Sequence, residues 1–454
     1  MMGAAVSRTE TRIRDEKREK GEKPGVRKKW YRLDTAALIF PAIARRNWSN
    51  VFRLSATLRE EVDGEALRQA AEDLRKRFPT FYVTLRRGFF WYYLEEMKEG
   101  SGVRLRKEFA YPLTFMSRKE RKTGCLRVIA CRNRIAAEFF HSVTDGSGGR
   151  IYLCNLVARY LEIRHGIAIP PGGLIRDLRA APEAEEMEDS FLKNAAPAGA
   201  ARREERAFHL RGTRNPEGFK TLTTGIVDSG RLVEMAHAYG VSVTAFLAAV
   251  LTESLIAVQN ARRPLRRQRP VKITVPVNLR RFFPTGTLRN FALALNVGVD
   301  PRFGDYSLED LCRSMHHQLG AGATRQNMAG MIAANVLPQR NALIRLTPVG
   351  LKNLVMDRIY VRTGEAAGSI NLSNLGETDL PEEMRPWIER MEFIIGPQRS
   401  YPNNCSVISC GGKTCIQLIR NIREAELERR FFSRLVELGL EVTVESNGNA
   451  GEDG

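Results

Sequence analysis

The sequence predicts an α+β protein made of two lobes, and three observations lead to this prediction. The chain has 454 residues, more than a single hydrophobic core usually serves. Both halves mix short segments of strand-like alternation with segments of helical periodicity, which is typical of antiparallel strands packed against helices. A polar, weakly periodic stretch containing Pro-Pro-Gly-Gly and Asn-Pro separates the halves at about 170–220.

The elements of the first half lead up to residue 141. They are a half-buried strand at 48–58, a helix capped by Asp63, and hairpins at 81–95 and 125–141. The second hairpin ends directly on His141. A helix then follows the Gly-rich stretch 146–149, and Gly166 is placed to end it.

The second half continues the same mixture of strands and helices. The predicted elements are a strand at 219–227, helices capped by Ser229 and Ser242, strands at 272–277 and 291–299, a mostly helical stretch at 307–356, strands at 368–375, 391–395, 404–410 and 414–420, and a helix at 423–437. The predicted organisation is a disordered basic tail at 1–29, an N-terminal lobe at 30–170, a linker or crossover at 171–218, a C-terminal lobe at 219–443 and a disordered tail at 444–454.

The formal net charge is +19, from 71 Lys and Arg against 52 Asp and Glu. Such a field attracts anions, including phosphate-bearing cofactors, acidic carrier proteins and anionic lipid surfaces. Part of the excess lies in residues 1–30, which hold ten basic residues against five acids. Outside that tail the basic residues lack the interleaved aromatic residues on which nucleic acid bases stack, so no nucleic acid partner is expected.

Seven cysteines without a CxxC pair indicate reduced thiols, and hence a cytoplasmic protein. Cys405, Cys410 and Cys415 are evenly spaced, but no His lies nearby to complete a zinc site, and no metal is expected. The N-terminus lacks the apolar core of a signal peptide. No transmembrane segment is expected either.

The segment from His141 to Gly146, His-Ser-Val-Thr-Asp-Gly, carries the chemistry of a general base. A neutral imidazole at the end of a strand can take a proton from an alcohol, thiol or amine near pH 7. Asp145 can accept backbone N–H groups or bind an Arg, which would hold the turn. Gly146 leaves room for a substrate to approach the ring.

A plainer interpretation makes His141 a hydrogen-bonded core residue and Asp145 an ordinary helix cap. Chance predicts about 0.015 occurrences of this His, Asp and Gly spacing in a chain of this composition. The strand before the motif and the capped helix after it make the catalytic interpretation more specific.

With the two Phe residues before it, the motif resembles the HxxxDG signature of the chloramphenicol acetyltransferase-like superfamily. That group includes nonribosomal peptide condensation domains, plant BAHD acyltransferases, wax-ester synthases and alcohol acetyltransferases. The resemblance covers most of residues 30–440. It also includes the segments at 31–34, 243–249, 275–280, 288–291 and 373–376.

The resemblance implies roles for five residues. His141 matches the family's general base, and Asp145 matches a structural Asp that pairs with an Arg at the position of Arg280. Ser373 and Asn374 match a strand that lines the tunnel near the reacting carbonyl, where they would stabilise an oxyanion.

The resemblance also implies a fold and an activity. The fold would be two chloramphenicol-acetyltransferase-like lobes with the active site in a tunnel between them. The activity would be transfer of an acyl group from a thioester, acyl-CoA or an acyl carrier protein, to a small alcohol or amine, with no tightly bound cofactor. The alternatives are amide-forming condensation on carrier-protein substrates and a non-catalytic protein that binds ligand in the same fold.

Two motifs of particular family members are missing from this sequence, which narrows the choice among those members. Some relatives have His-His-x-x-x-Asp-Gly, but Phe140 stands at the first His position. The plant-type Asp-Phe-Gly-Trp-Gly motif is missing, and residues 393–397 read Phe-Ile-Ile-Gly-Pro instead. The sequence is most similar in character to bacterial alcohol acetyltransferase-like proteins that stand alone.

Overall fold

The computed structural model describes the following parts of the chain: 29–45, 48–98, 103, 105–195 and 204–448. The basic tail expected at 1–29 lies outside the described residues as far as residue 28, and so does the end of the chain from residue 449.

Strands and helices alternate irregularly along the described residues, as expected for an α+β chain. The strands are β1 (Trp30–Arg32), β2 (Val51–Leu58), β3 (Val83–Arg87), β4 (Tyr92–Glu96), β5 (Leu105–Lys107), β6 (Leu126–Cys131), β7 (Arg134–Phe140), β8 (Thr221–Asp228), β9 (Val271–Asn278), β10 (Ala292–Val299), β11 (Ile370–Glu377), β12 (Ile388–Ile395), β13 (Asn403–Cys410), β14 (Lys413–Arg420) and β15 (Thr443–Ser446). The α-helices are α1 (Phe40–Ile43), α2 (Gly64–Asp73), α3 (Arg118–Arg121), α4 (Gly146–His165), α5 (Ser190–Lys193), α6 (Ser229–Ala238), α7 (Val243–Arg262), α8 (Leu308–Gly322), α9 (Arg325–Arg340), α10 (Ala342–Leu346), α11 (Val349–Ile359) and α12 (Glu426–Glu437).

The strands form three sheets, each built from a different set of segments of the chain. A three-stranded sheet has the order β1-β4-β3, and a five-stranded sheet has the order β12-β2-β7-β6-β5. The third sheet has seven strands in the order β10-β9-β11-β13-β14-β8-β15. β12 comes late in the chain but pairs antiparallel with β2, so it ties the second half of the sequence to the first lobe. The bounds of the two lobes in sequence stay a prediction.

Helix caps follow the sequence with one exception. The side chain of Asp63 accepts hydrogen bonds from Glu65 N and Ala66 N at the start of α2, as predicted. The expected cap at Ser242 on α7 is also confirmed. The prediction for α6 is wrong by one residue, because Asp228 caps it through Arg231 N.

The C-terminal tail predicted from residue 444 is corrected at its beginning. Thr443–Ser446 form the edge strand β15, which pairs antiparallel with β8 from Thr223 to Ile226. The segment is short and mostly polar, and its side chains remain exposed. A hydrophobic pattern therefore does not reveal this strand.

The predicted half-buried strand at 48–58 is buried on both faces. β2 is an interior strand between β7 and β12, and all eight of its residues are buried. Arg53 can be buried because Glu138 on β7 accepts hydrogen bonds from its Nε (3.0 Å) and Nη2 (2.8 Å). Arg127 Nη1 donates to the other oxygen of Glu138 at 2.8 Å. This ion-pair network fixes β7, the strand that delivers His141, against its neighbour.

Two large hydrophobic cores fill the lobes, and a third, smaller cluster supports the functional site. The smaller cluster packs Phe291 against Phe191, with ring centroids 5.3 Å apart, and includes Leu279 and Phe283. It thereby anchors both ends of the loop between β9 and β10.

Helix α7 qualifies the expectation that no segment could cross a membrane. Its 20 residues are long and apolar enough to do so, the single such helix among the described residues, but 67% of the apolar window is buried inside the protein. Ala245, Phe246, Leu251 and Leu255 belong to the core of the seven-stranded lobe. The hydrophobicity of α7 is thus accounted for by packing within the fold.

The evenly spaced cysteines are separated by the sheet. Cys405 packs in the core of the seven-stranded lobe, whereas Cys410 and Cys415 pack in the other large core. All seven cysteines of the chain are free. In the described part of the chain, no group of three or more His, Cys, Asp or Glu side chains is arranged to hold a metal ion.

Candidate active site

His141 follows the last residue of β7 and lies where the two lobes meet. Its backbone N–H donates to Asn50 O at 2.9 Å, which continues the pairing of β7 with the segment before β2. The residue is partly exposed. Its ring stacks on Phe40 with centroids 4.3 Å apart and planes 16° apart, and meets the ring of Phe52 edge-on at 5.0 Å. The two aromatic rings therefore fix the plane of the imidazole.

Asn290 determines which nitrogen of His141 carries the hydrogen. Its Nδ2 donates to Asp34 Oδ2 at 3.1 Å and to the carbonyl oxygen of His141 at 3.0 Å. Its Oδ1 is therefore an acceptor, and it lies 3.0 Å from His141 Nδ1. The network assigns the hydrogen to Nδ1, so Nε2 of the neutral ring keeps its lone pair.

The surroundings favour the neutral ring. Burial lowers the pKa of His141 below its usual value of 6.5, and this effect outweighs the opposing effects of its hydrogen bonds and of the Asp145 carboxylate. Since a general base must be unprotonated, the site is suited to accept a proton at neutral pH.

Asp145 is the N-cap of α4, and its carboxylate joins the two lobes. Oδ1 accepts from Gly148 N at 3.0 Å, within the first turn of the helix. Oδ2 accepts from Phe291 N and from Arg280 Nη1, both at 2.8 Å. The structure thus brings together Asp145 and Arg280, the pair that the resemblance implies. No hydrogen bond between Asp145 and His141 is present in this described region.

Arg280 holds the loop that carries Asn290. Its Nε and Nη2 donate to Thr287 O at 3.0 and 2.9 Å, and Nη2 also donates to Arg289 O at 2.6 Å. A single guanidinium therefore links the helix cap at Asp145 to the backbone on both sides of residue 288. Asp145 positions His141 indirectly, through Arg280 and the loop that carries Asn290.

The glycines after Asp145 permit close approach, but not in the way the sequence suggests. A Cβ on Gly146 would lie 2.8 Å from Leu375 Cδ2 on β11, so Gly146 makes room for a residue of the facing sheet. Gly148 is more constrained. A Cβ there would lie 2.2 Å from both Leu288 O and Thr144 Oγ1.

Replacing Gly148 with Ala should destabilise the fold by about 1–3 kcal/mol or more, because the new methyl group has to push the Leu288 backbone away. Gly330→Ala on α9 is the matched control, since a Cβ there meets no atom within 4 Å. It should leave the fold as stable or slightly more stable. Denaturant unfolding of both variants measures the difference, and equal stabilities would contradict the assigned close contact.

Ser373 and Asn374, both expected to line the tunnel, lie on opposite faces of β11 because neighbouring residues of a strand alternate. Asn374 Nδ2 donates to Thr244 Oγ1 on α7 at 3.1 Å, and its Oδ1 accepts from Gly376 N at 2.8 Å. These bonds use one of the two Nδ2 hydrogens and Oδ1, and the oxyanion role expected for Asn374 stays a prediction. Ser373 shares the other face with Leu375, which approaches Gly146.

Asn290 and Phe40 are the site residues that sequence reasoning missed. Asn290 lies within the segment 288–291, which resembles the family, but no role follows from its position in sequence. Phe40 lies on α1, which sequence periodicity does not detect because the helix has only four residues.

In a reaction that uses His141 as its base, replacing Asn290 with Ala should lower the rate constant by roughly 10²-fold with little change in KM, because the imidazole loses its fixed tautomer and orientation. The Nδ1–H to Oδ1 hydrogen bond stabilises the protonated ring, so its loss also lowers the pKa of His141 further. The acid limb of the pH–rate profile should therefore move to lower pH. Asn335→Ala, at an exposed position on α9, is the control. An unshifted acid limb in the Asn290 variant would contradict the positioning role.

Comparison with known proteins defines the class of fold. No protein-family model and no curated protein sequence matches the chain. Solved structures do match over nearly its whole length. The chain has the two-lobed α+β fold of chloramphenicol-acetyltransferase-like proteins and condensation domains, which confirms the predicted fold class.

Three solved structures represent this similarity. TRI101 of F. graminearum, complexed with ethyl coenzyme A, matches with a TM-score of 0.60 and 12% identity over 93% of this chain and 100% of that chain. Polyketide synthase associated protein 5 from Mycobacterium tuberculosis matches with a TM-score of 0.52 and 17% identity over 89% and 97%. The epimerization domain from the third module of tyrocidine synthetase B matches with a TM-score of 0.53 and 14% identity over 92% and 97%. At these identities the similarity establishes the fold alone.

Proposed function

We propose that this protein is an acyltransferase that moves an acyl group from a thioester to an alcohol or amine, with His141 as the general base. The observation that carries the proposal is the hydrogen bond from His141 Nδ1 to Asn290, which leaves the Nε2 lone pair available. The donor proposed is an acyl-CoA. Similarity to a protein solved with ethyl coenzyme A supports this donor, and a net charge of +19 suits its phosphates.

The reaction proceeds without a covalent enzyme intermediate. His141 Nε2 takes the proton of the acceptor O–H or N–H as the acceptor atom bonds to the thioester carbonyl carbon. The carbonyl π electrons move to oxygen and form a tetrahedral oxyanion. When the carbonyl re-forms, the C–S bond breaks, and Nε2–H returns its proton to the leaving thiolate. The products are an ester or amide and a free thiol, and His141 is neutral again.

Ser373 is the side chain proposed to stabilise the oxyanion. It lies on the face of β11 that also carries Leu375, whose side chain approaches Gly146 at the start of α4. Its hydroxyl has no side-chain partner within the described ranges, in contrast to the amide of Asn374. A hydroxyl that is already free to donate costs no broken hydrogen bond when charge develops on the substrate.

A panel of acyl-CoA thioesters, assayed for free-thiol release with alcohols and amines as acceptors, tests the proposal. Acceptor-dependent thiol release and formation of the matching ester or amide support it. A second arm replaces acyl-CoA with an acylated, pantetheinylated carrier protein, because a condensation-type reaction would use that donor. Tight ligand binding without turnover of any thioester would instead favour a binding protein of the same fold.

The reaction is proposed to occur in the cytoplasm, since all seven thiols are free.

A further inference from the structure

Helix α11 exposes four apolar side chains on one side and directs two polar side chains, Lys352 and Asn353, toward the protein. Leu351, Leu354, Val355 and Ile359 are all exposed and recur at the spacing of one helical face. On the inner side, Lys352 Nζ donates to Phe90 O at 2.8 Å and Asn353 Nδ2 donates to Tyr92 OH at 2.8 Å. This orientation is the reverse of that in a helix of a water-soluble lobe, where the apolar stripe faces the core.

Neighbouring elements extend the same surface. On α10, Leu343 is 79% exposed and Leu346 is 67% exposed, although Asn341 caps this helix through its side chain. The turn between β3 and β4 lies beside α11, because Val349 N donates to Phe89 O at 2.9 Å. Phe89 and Trp91 in that turn are 71% and 55% exposed. We call the combined surface the apolar platform; its members are Phe89, Trp91, Leu343, Ile344, Leu346, Leu351, Leu354, Val355 and Ile359.

Positive charge borders the apolar platform. Arg87, Arg345, Arg358 and Arg362 are exposed, and within the described residues none of them forms an ion pair with a carboxylate. The one acid between residues 341 and 362, Asp357, faces inward and pairs with Arg45 at 2.8 Å and with Arg399. Among the described residues, the positive charge of this border is therefore not neutralised by neighbouring carboxylates.

From these contacts we infer that the apolar platform binds the surface of an anionic phospholipid bilayer. Exposed Leu, Ile, Phe and Trp enter the boundary between headgroups and acyl chains, and the surrounding Arg side chains attract anionic headgroups. The helices are too short to span a bilayer, since α11 has 11 residues and α10 has five, so the protein lies on the surface.

Charge favours an anionic bilayer at the platform over a second copy of the chain and over the segment 1–28. A second copy of the chain would bring two basic borders face to face, which is repulsive. The segment 1–28 carries an excess of Lys and Arg and would be repelled as well. An anionic bilayer satisfies both the apolar centre and the basic border.

The apolar platform is connected to the active site through two elements. α11 packs against α1, and Phe40 on α1 stacks on the His141 ring at 4.3 Å. Trp48 stacks on Tyr360, directly after α11, with centroids 5.2 Å apart. A bilayer bound at the platform would therefore lie on the side of the protein where α1 contacts His141. This last step rests on the proposed function. If His141 transfers an acyl group, a bilayer on this side of the protein would supply a membrane-soluble alcohol or amine as the acceptor.

Sedimentation of the full chain with vesicles tests the inference. Vesicles of phosphatidylcholine with about one quarter phosphatidylglycerol should carry the protein into the pellet, and pure phosphatidylcholine vesicles should bind about tenfold less. Leu351→Glu/Leu354→Glu should weaken binding to anionic vesicles about tenfold or more. The matched control is Leu265→Glu/Val436→Glu, which changes the charge equally at exposed apolar residues (58% and 54%) outside the platform. It should bind like the unaltered protein.

Three outcomes would overturn the inference. The unaltered protein could stay in the supernatant with both kinds of vesicle, or the two double variants could bind equally well. Light scattering could also show a dimer that Leu351→Glu/Leu354→Glu dissociates, with no binding to vesicles, which would assign the platform to self-association. Because the same sedimentation can be done with His141→Ala, failure of the membrane inference and failure of the proposed reaction are separate results.

Discussion

Replacing His141 with Ala should lower acceptor-dependent thiol release from an acyl-CoA by about 10²–10⁴-fold, the usual contribution of a general base. The variant loses the Nε2 lone pair that Asn290 keeps available, and no other imidazole contacts Phe40 or Asn290 among the described residues. Donor binding should change little, because the base acts on the acceptor proton. Steady-state kinetics with a soluble short-chain alcohol measures kcat and KM separately.

His317→Ala on the exposed face of α8 is the control for this experiment. It also replaces a histidine with alanine, but at a position outside the motif at 141–146. It should retain full activity. Activity of the His141 variant within tenfold of the unaltered protein would exclude His141 as the base.

Replacing Asp145 with Ala should destabilise the fold by about 3–5 kcal/mol, because a mostly buried arginine loses its charged partner. The same change removes the acceptor of Phe291 N and the cap of Gly148 N, so the loop that carries Asn290 loses its connection to α4. Denaturant unfolding measures the loss. A sample that remains folded should also show reduced activity, since His141 is positioned through that loop.

Asp63→Ala is a matched control, because Asp63 is also a helix N-cap that accepts from two backbone N–H groups, both in its own helix, but has no ion-pair partner among the described residues. Its loss should cost about 1 kcal/mol, the usual value for a helix cap. If the two variants lose equal stability, the Asp145–Arg280 pair does not join the lobes as described.

Local periodicity was sufficient to predict most elements of the fold, because each strand or helix encodes its own hydrophobic pattern. It was insufficient for β2, whose alternating Arg53, Ser55 and Thr57 are typical of a solvent-facing side. Arg53 is instead neutralised by Glu138, 85 residues further along the chain. The position of β12 beside β2 is likewise a long-range pairing that no local pattern contains.

The site was predictable to the extent that it resembles a known motif. His141, Asp145 and Arg280 follow from such a resemblance, and the structure brings them together around one loop. Asn290 could not be assigned, because its role depends on a contact across 149 residues. The separation of Ser373 from Asn374 was accessible from sequence, since adjacent residues in a strand face opposite ways.

Helix α11 illustrates a further limit of sequence patterns. Helical spacing places Leu351, Leu354, Val355 and Ile359 on one side of this helix. Periodicity does not say whether the apolar face meets a core or the outside of the protein. The contacts of Lys352 and Asn353 show that these polar side chains face inward and leave the four apolar ones outside.

Nitrogen-15 NMR of the His141 ring in the free protein is the most direct test of the account, because it needs no knowledge of the substrates. Comparison with His141→Gln assigns the resonances. We expect a neutral ring at pH 7 with its hydrogen on Nδ1, no hydrogen on Nε2, and a pKa below the usual 6.5. A ring that is charged at pH 7, or one that carries its hydrogen on Nε2, would contradict the account.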